Sequence, residues 1–365
     1  MAACGRSTPD QPEVLEYPTT EMAEHIDSYH GTDVADPYRW LEDDVRESAA
    51  VADWINAQND VTAAYLESIP ERDIIKERLT ELWDHERYGQ PVKEGGRYYY
   101  SHNSGLQNQS VIYVQEHLDA EAKVLMDPNT WSDDGTVALA SYAPSPDGSH
   151  VAYLVQDGGS DWRKARVIEV DTRKVLEDEL SWLKFTGLSW ARDGSGFYYS
   201  RYPATSDDTK FQSLNLNQAV YFHRLGTPQD EDALVYRRPE NPEWGYSATV
   251  TDDGAHLVIA TWKGTDSRYQ IVHQDLTDTA AKAELLIEGI DYDYSLVGNI
   301  GSKLYFRTNN GAPRNRLITI DVDEPDPDSW HEVIPEAEDV LDGVGSKASN
   351  VPGSRLVSSS PTSKV

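Results

Sequence analysis

Cysteine is nearly missing: Cys4 stands alone among 365 residues, which excludes an internal disulfide and a thiolate metal cluster. No stretch approaches the roughly 20 consecutive apolar residues that a membrane-spanning helix needs. Basic residues are scarce, 32 Lys and Arg against 63 Asp and Glu, for a formal net charge of −31. Nucleic acid is therefore not expected as a partner, because phosphate binding needs a concentrated positive surface. The charge reads first as a solvated acidic surface. Phenylalanine is also rare, with 5 residues, but Tyr (21) and Trp (10) are plentiful and favour strands. None of the ten His residues falls in HExxH or another ligand spacing, so no metal and no cofactor are expected.

The opening Met1-Ala2-Ala3-Cys4-Gly5 has the form of the end of a bacterial lipoprotein signal, with Cys4 the residue to be lipidated. No charged n-region or apolar h-region precedes it. Two readings stay open: a signal remnant, implying a periplasmic or lipid-anchored parent, and a chance match, leaving the chain cytoplasmic.

Four regions are expected. Residues 1–17 are polar and Pro-containing, a flexible start. Residues 18–86 form a helical leader: Glu47–Leu66 lacks Gly and Pro, and Asp73–Trp83 puts Ile74, Ile75, Leu79, Leu82 and Trp83 on one face. Residues 87–343 are β throughout, with a recurring unit: an apolar run, an Asp-Gly type turn, a second apolar run, then a strand ending in an acid. Its turns are Gly95-Gly96, Ser145-Pro146-Asp147-Gly148, Ala191-Arg192-Asp193-Gly194, Thr251-Asp252-Asp253-Gly254 and Asn299-Ile300-Gly301. Their spacing is close to the ~40–50-residue period of propeller blades, and each unit has room for four strands. A β-sandwich with Asp-Gly hairpins accounts less well for so many repetitions. The fold class is thus mainly β, a β-propeller of about five blades after a short helical leader. Residues 344–365 hold seven Ser, no acid and no aromatic, and read as a disordered, non-native tail.

The leader segment from His30 to Asp43, HGTDVADPYRWLED, is similar to a leader motif of the prolyl oligopeptidase (prolyl endopeptidase) family. Further similar segments follow in family order: Asn103–Gln109 through Gln115, Leu125–Asn129 with Ser132–Leu139, and Gly159–Trp162 followed by Lys184-Phe185 and Gly196–Pro203. The resemblance runs over Tyr17–Gly343 and implies the family's leader and N-terminal propeller. In that family a seven-bladed propeller stands between the leader and an α/β-hydrolase domain, and its channel admits only short peptides. The implied parent is a serine endopeptidase cleaving after proline. The implied partners are short proline-containing peptides and its own hydrolase domain.

The 365 residues hold no G-x-S-x-G. Gly158-Gly159-Ser160-Asp161-Trp162 comes nearest but lacks the closing Gly. No catalytic residue is assigned, and the chain is expected to be inactive alone. Phe185 matches a propeller-borne aromatic that lines an apolar subsite in the family; an ordinary blade-core Phe is the alternative. Two neighbouring family positions fall near Gly245 and Thr265, whose side chains differ from those of better-known relatives. A stand-alone propeller that binds peptides or proteins is the rival function, and a dipeptidyl peptidase-like exopeptidase a second; the leader motif speaks against both. Five blades of seven would also leave uncovered faces, expected at Tyr98, Tyr100, Tyr305 and Phe306.

Overall fold

The computed structural model describes residues 15–205, 214–348 and 355–361. Cys4, and with it the lipidation reading, lies outside the described residues. The chain divides into two compact units, Met1–His85 with Thr205–Leu214, and Glu86–Ala204 with Asn215–Val365.

In the first unit, β1 (Ile26–Tyr29) and β2 (Thr32–Ala35) form a hairpin closed by His30 and Gly31. Both loop residues have positive φ, 53° and 83°, the geometry of a two-residue hairpin loop and the reason a glycine follows His30. Arg39 gathers acids from the hairpin and the motif, pairing with Asp27 of β1, with Asp36 at 3.0 Å and with Glu42 at 2.7 Å. Helix α1 (Ala49–Glu67) starts where the Ser48 side chain accepts the Val51 N–H. Helix α2 (Arg72–Trp83) leaves Ile74, Ile75, Leu79, Leu82 and Trp83 exposed, the apolar face read from the sequence.

The second unit is a series of antiparallel sheets. The first comprises β3 (Arg87–Tyr88), β4 (Val92–Glu94), β5 (Arg97–Asn103), β6 (Val111–Gln115) and β7 (Lys123–Met126), with β3 and β4 both on one edge of β5. Blade two runs β8 (Val137–Pro144), β9 (His150–Asp157), β10 (Arg163–Glu169), β11 (Val175–Leu183). Blade three runs β12 (Ser189–Trp190), β13 (Gly196–Arg201), β14 (Ala219–Arg224), β15 (Ala233–Tyr236). Blade four is β16 (Trp244–Val250), β17 (His256–Lys263), β18 (Tyr269–Asp275), β19 (Glu284–Tyr292). Blade five is β20 (Tyr294–Ile300), β21 (Lys303–Thr308), β22 (Arg316–Asp321), β23 (His331–Ile334). The protein is thus mainly β, a five-bladed propeller array with two α-helices among the described residues.

Strand alternation sends successive side chains to opposite sheet faces, so each blade buries one set against the blade before it and the other against the blade after. On β9, Val151 and Tyr153 join Tyr99 and Ile112 of blade one, while Ala152 and Leu154 join Trp190 and Phe197 of blade three. Blades three and four meet through Val220, Tyr246 and Leu257, blades four and five through Val258, Leu304 and Phe306. The Asp-Gly turns also stack: a Cβ on Gly95 would lie 2.1 Å from the Gly148 nitrogen, so only glycine permits that approach.

Two expectations are corrected. Phe306 is not on an uncovered face; it is fully buried (0% exposed) against blade four, because β21 alternates Leu304 and Phe306 inward and Tyr305 away. Nor are residues 344–365 irregular where described. Strand β24 (Leu341–Ala348) crosses the boundary drawn at Gly343 and pairs with β25 (Arg355–Pro361). A ladder needs backbone N–H and C=O groups rather than apolar side chains. β24 is also tied to blade five, since Asn315 Nδ2 donates to the Leu341 carbonyl (3.1 Å) and Arg307 to that of Asp342 (2.7 Å).

Candidate functional site

The innermost strands β4, β8, β12 and β16 line a cavity of about 1050 Å³, the central channel. Lys93, Glu94, Arg192 and Asp252 line it alongside Tyr142 and Trp190. Burial and the facing Asp252 push the Glu94 carboxyl above its ordinary range, and Arg192 works against them.

An aromatic ledge stands between blades two and three, at the end of the blades opposite their Asp-Gly turns. Trp162 meets Trp182 and Tyr202 edge to face, with centroids 5.7 and 6.1 Å apart. The Lys184 ammonium lies 4.0 Å from the centre of the Trp162 ring and donates to Asn215 Oδ1 at 3.1 Å. Burial lowers the pKa of Lys184, and raises that of Tyr202 to about 12. Phe185, next in sequence, is 45% exposed and is therefore not a blade-core side chain.

Two bulky residues here occupy the left-handed region, Trp182 at φ 67° and Phe185 at φ 52°. Such backbone is costly for side chains of this size and persists only where neighbours hold it. The holders are the Tyr202 N–H on the Trp182 carbonyl (3.0 Å) and Gln218 Nε2 on the Lys184 carbonyl (2.8 Å). Gln218 Oε1 in turn accepts the Tyr246 N–H of blade four at 2.7 Å, tying the ledge to β16. Trp162 and Tyr202 lie in the family-like segments Gly159–Trp162 and Gly196–Pro203, Trp182 in none, and only the blade geometry shows that the three rings meet.

On β16, a Cβ at Gly245 would fall 2.6 Å from the Trp262 ring, so the indole lies directly across the glycine. Trp262, Thr265, Asp266 and Tyr269 line a cavity of about 430 Å³ with Ser295 and Leu296 of blade five. Arg268 and backbone N–H groups hold Asp266 ionised, with its pKa lowered to about 2. Thr265 thus lines this recess, and Trp262, which lines it too, is the residue that covers Gly245. The Gly-Gly-Ser look-alike is only the β9–β10 hairpin turn: Gly158 and Gly159 have positive φ, and Ser160 Oγ accepts the Trp162 N–H at 3.1 Å.

Two histidines are buried in bonding networks. His223 (0% exposed) has Nδ1 2.8 Å from Asp232 Oδ1 and Nε2 3.0 Å from Asp178 Oδ1. Carboxylate oxygens accept, so both ring N–H groups donate and the ring is an imidazolium strap from blade three to blade two. Its desolvation opposes the charge, but the two carboxylates outweigh it, and the pKa is raised. Tyr199 donates to the other Asp232 oxygen at 2.6 Å. His256 bridges blades four and five: its Nε2–H donates to the Gly301 carbonyl (3.0 Å), leaving Nδ1 to accept from His273 Nε2 (2.9 Å).

Blades stacked in chain order around a lined channel, in a chain that opens with a hairpin-and-helix unit, define a β-propeller with a leader. Residues 17–351 match the family Prolyl oligopeptidase, N-terminal beta-propeller domain, and the chain belongs to that family. It is 36% identical over 329 residues to a prolyl endopeptidase of Elizabethkingia meningoseptica, a match covering 90% of this chain and 46% of that protein. It is 32% identical to prolyl oligopeptidase A of Amanita bisporigera, covering 88% and 46%. Among solved structures, prolyl oligopeptidase B of Galerina marginata, bound to a 35mer hydrolysis and macrocyclization substrate, superposes with a TM-score of 0.74 at 29% identity. That match covers 90% of this chain and 49% of the other. The chain spans about half the length of the curated relatives it matches.

Proposed function

We propose that this chain is the gating propeller region of a serine endopeptidase that cleaves short peptides after proline. The residues present hold no nucleophile elbow, so the attacking Ser, the His that takes its proton and the Asp that orients the His belong to a hydrolase domain outside these 365 residues. The propeller contributes a channel that selects by size, and the ledge contributes contact with the peptide. Phe185 carries this reading: a large apolar side chain stays exposed on a left-handed backbone that neighbouring hydrogen bonds enforce. A strained, exposed aromatic that neighbouring hydrogen bonds hold in place is more economically explained by a ligand than by packing.

The test is binding of the blocked peptide Ac-Phe-Gly-Pro-Ala-amide to the 365-residue chain by titration calorimetry. Phe185→Ala should weaken binding about tenfold, the loss of one partly buried aromatic contact. Equal affinity in the two proteins would remove Phe185 from the site.

A further inference from the structure

Arg163 opens β10 and Arg201 closes β13, which places both at the ledge end of blades two and three. Arg163 shares its strand face with Ala165 and Val167, and Arg201 with Phe197 and Tyr199; all four of those residues belong to the core cluster between the two blades. The two guanidinium side chains therefore leave facing strands toward the same interface. Each has its Nε buried without a hydrogen-bond partner. Among the described residues, neither guanidinium forms an ion pair, and Arg201 has instead the Tyr221 ring, 4.3 Å from its Cζ to the ring centre. Lys184 adds a third cation at the ledge, with Asp161 the nearby acid that acts on it.

In this chain of net charge −31, arginines such as Arg39, Arg166 and Arg307 have carboxylate partners, which Arg163 and Arg201 lack among the described residues. Burying part of a guanidinium without an acceptor is unfavourable, and two of like charge at one interface more so. An incoming carboxylate would relieve both, since guanidinium and carboxylate groups match in charge and in donor geometry.

We propose that Arg163, Arg201 and Lys184 form a carboxylate-binding subsite beside Phe185, selecting peptides that carry an acidic group next to an apolar residue. The inference rests on the reading of the ledge as a peptide contact. Its carboxylate comes from a peptide's free C-terminus or from an Asp or Glu side chain.

Three peptides separate these cases by calorimetry on the 365-residue chain: Ac-Phe-Gly-Pro-Ala as the free acid, the same peptide as the amide, and the amide with Asp in place of Gly. The free acid or the Asp peptide should bind at least tenfold more tightly than the plain amide, and the advantage should shrink as salt is raised. Arg163→Gln and Arg201→Gln should each reduce that advantage, read as the ratio of the acidic peptide's affinity to the plain amide's in the same variant. A preference for the free acid identifies the α-carboxylate, and one for the Asp peptide the side chain. Equal binding of all three by the unmutated chain overturns the subsite and leaves the peptide-binding ledge standing. Binding of none overturns both.

Discussion

Replacing Asp178 with Asn tests the buried strap between blades two and three. His223 and Asp232 have fully buried side chains, and that of Asp178 is 4% exposed, so the strap is shielded from solvent. Removing one carboxylate leaves a buried imidazolium short of a counter-charge, a loss on the order of 3 kcal/mol or more. Amide exchange measured by mass spectrometry reads this locally, without requiring the whole chain to unfold as one unit. In Asp178→Asn, peptides covering Ala219–Arg224 should exchange about a hundredfold faster, each 1.4 kcal/mol being tenfold, while those covering β21 stay unchanged. The strap also fixes a pH dependence. The folded-state pKa of His223 is raised, so its contribution is complete below the unfolded value of about 6.5 and is lost as pH climbs through the folded value. Protection of β14, corrected for intrinsic exchange, should therefore decline on the alkaline side, and His223→Gln should abolish that decline. Protection unchanged in Asp178→Asn, or flat from pH 6 to 9 in the unmutated chain, would refute the charged strap.

The His256–His273 bridge responds in the opposite direction. Burial first, and the facing His256 second, lower the His273 pKa to about 4, so its contribution is full above about 6.5 and is lost as pH falls toward 4. Exchange of β18 should accelerate over that interval, and His273→Gln should remove the acid dependence; a dependence that persists would assign it elsewhere. Gly245→Ala should push the Trp262 indole off β16, read as a displaced resonance in the fluorine spectrum of 5-fluorotryptophan-labelled protein; an unmoved Trp262 signal would contradict the close approach. The exposed apolar face of α2 should drive self-association once salt screens the chain's negative charge. Light scattering should rise with ionic strength, and a monomer indifferent to salt would show that face to be satisfied within the chain.

The blades were readable in the sequence because their turns carry their own chemistry. Asp147 accepts the Ser149 N–H and the Ser145 hydroxyl, and Gly148 takes a positive φ, a local arrangement written in adjacent letters. The leader hairpin at His30-Gly31 was not legible: residues 18–86 were expected to be helical, and the two four-residue strands there are too short to stand out by alternation. What each strand face packs against was less accessible: Phe306 and Tyr305 are neighbours in sequence, and only the register decides which enters the core. β24 escaped notice because composition reports burial of side chains, whereas its pairing depends on the backbone. At the candidate site, Phe185 was singled out by motif order alone, and the structure adds its exposure and its left-handed backbone. Its companions Trp162, Trp182 and Tyr202 come from separate strands and loops, and the unpaired Arg163 and Arg201 become visible only when blade two meets blade three.

The most direct test joins residues 17–351, the span that matches the family, to the part of the Elizabethkingia meningoseptica prolyl endopeptidase that follows its matched segment, and assays the chimera beside the unmodified chain with a chromogenic Gly-Pro amide, casein and a serine-directed phosphonate. The chain alone should neither hydrolyse the amide nor take up the label, while the folded chimera should hydrolyse the amide and leave casein intact. Stoichiometric labelling of the chain alone, or a folded chimera that degrades casein as readily as the amide, would contradict the assignment of this chain as a peptidase's gating propeller.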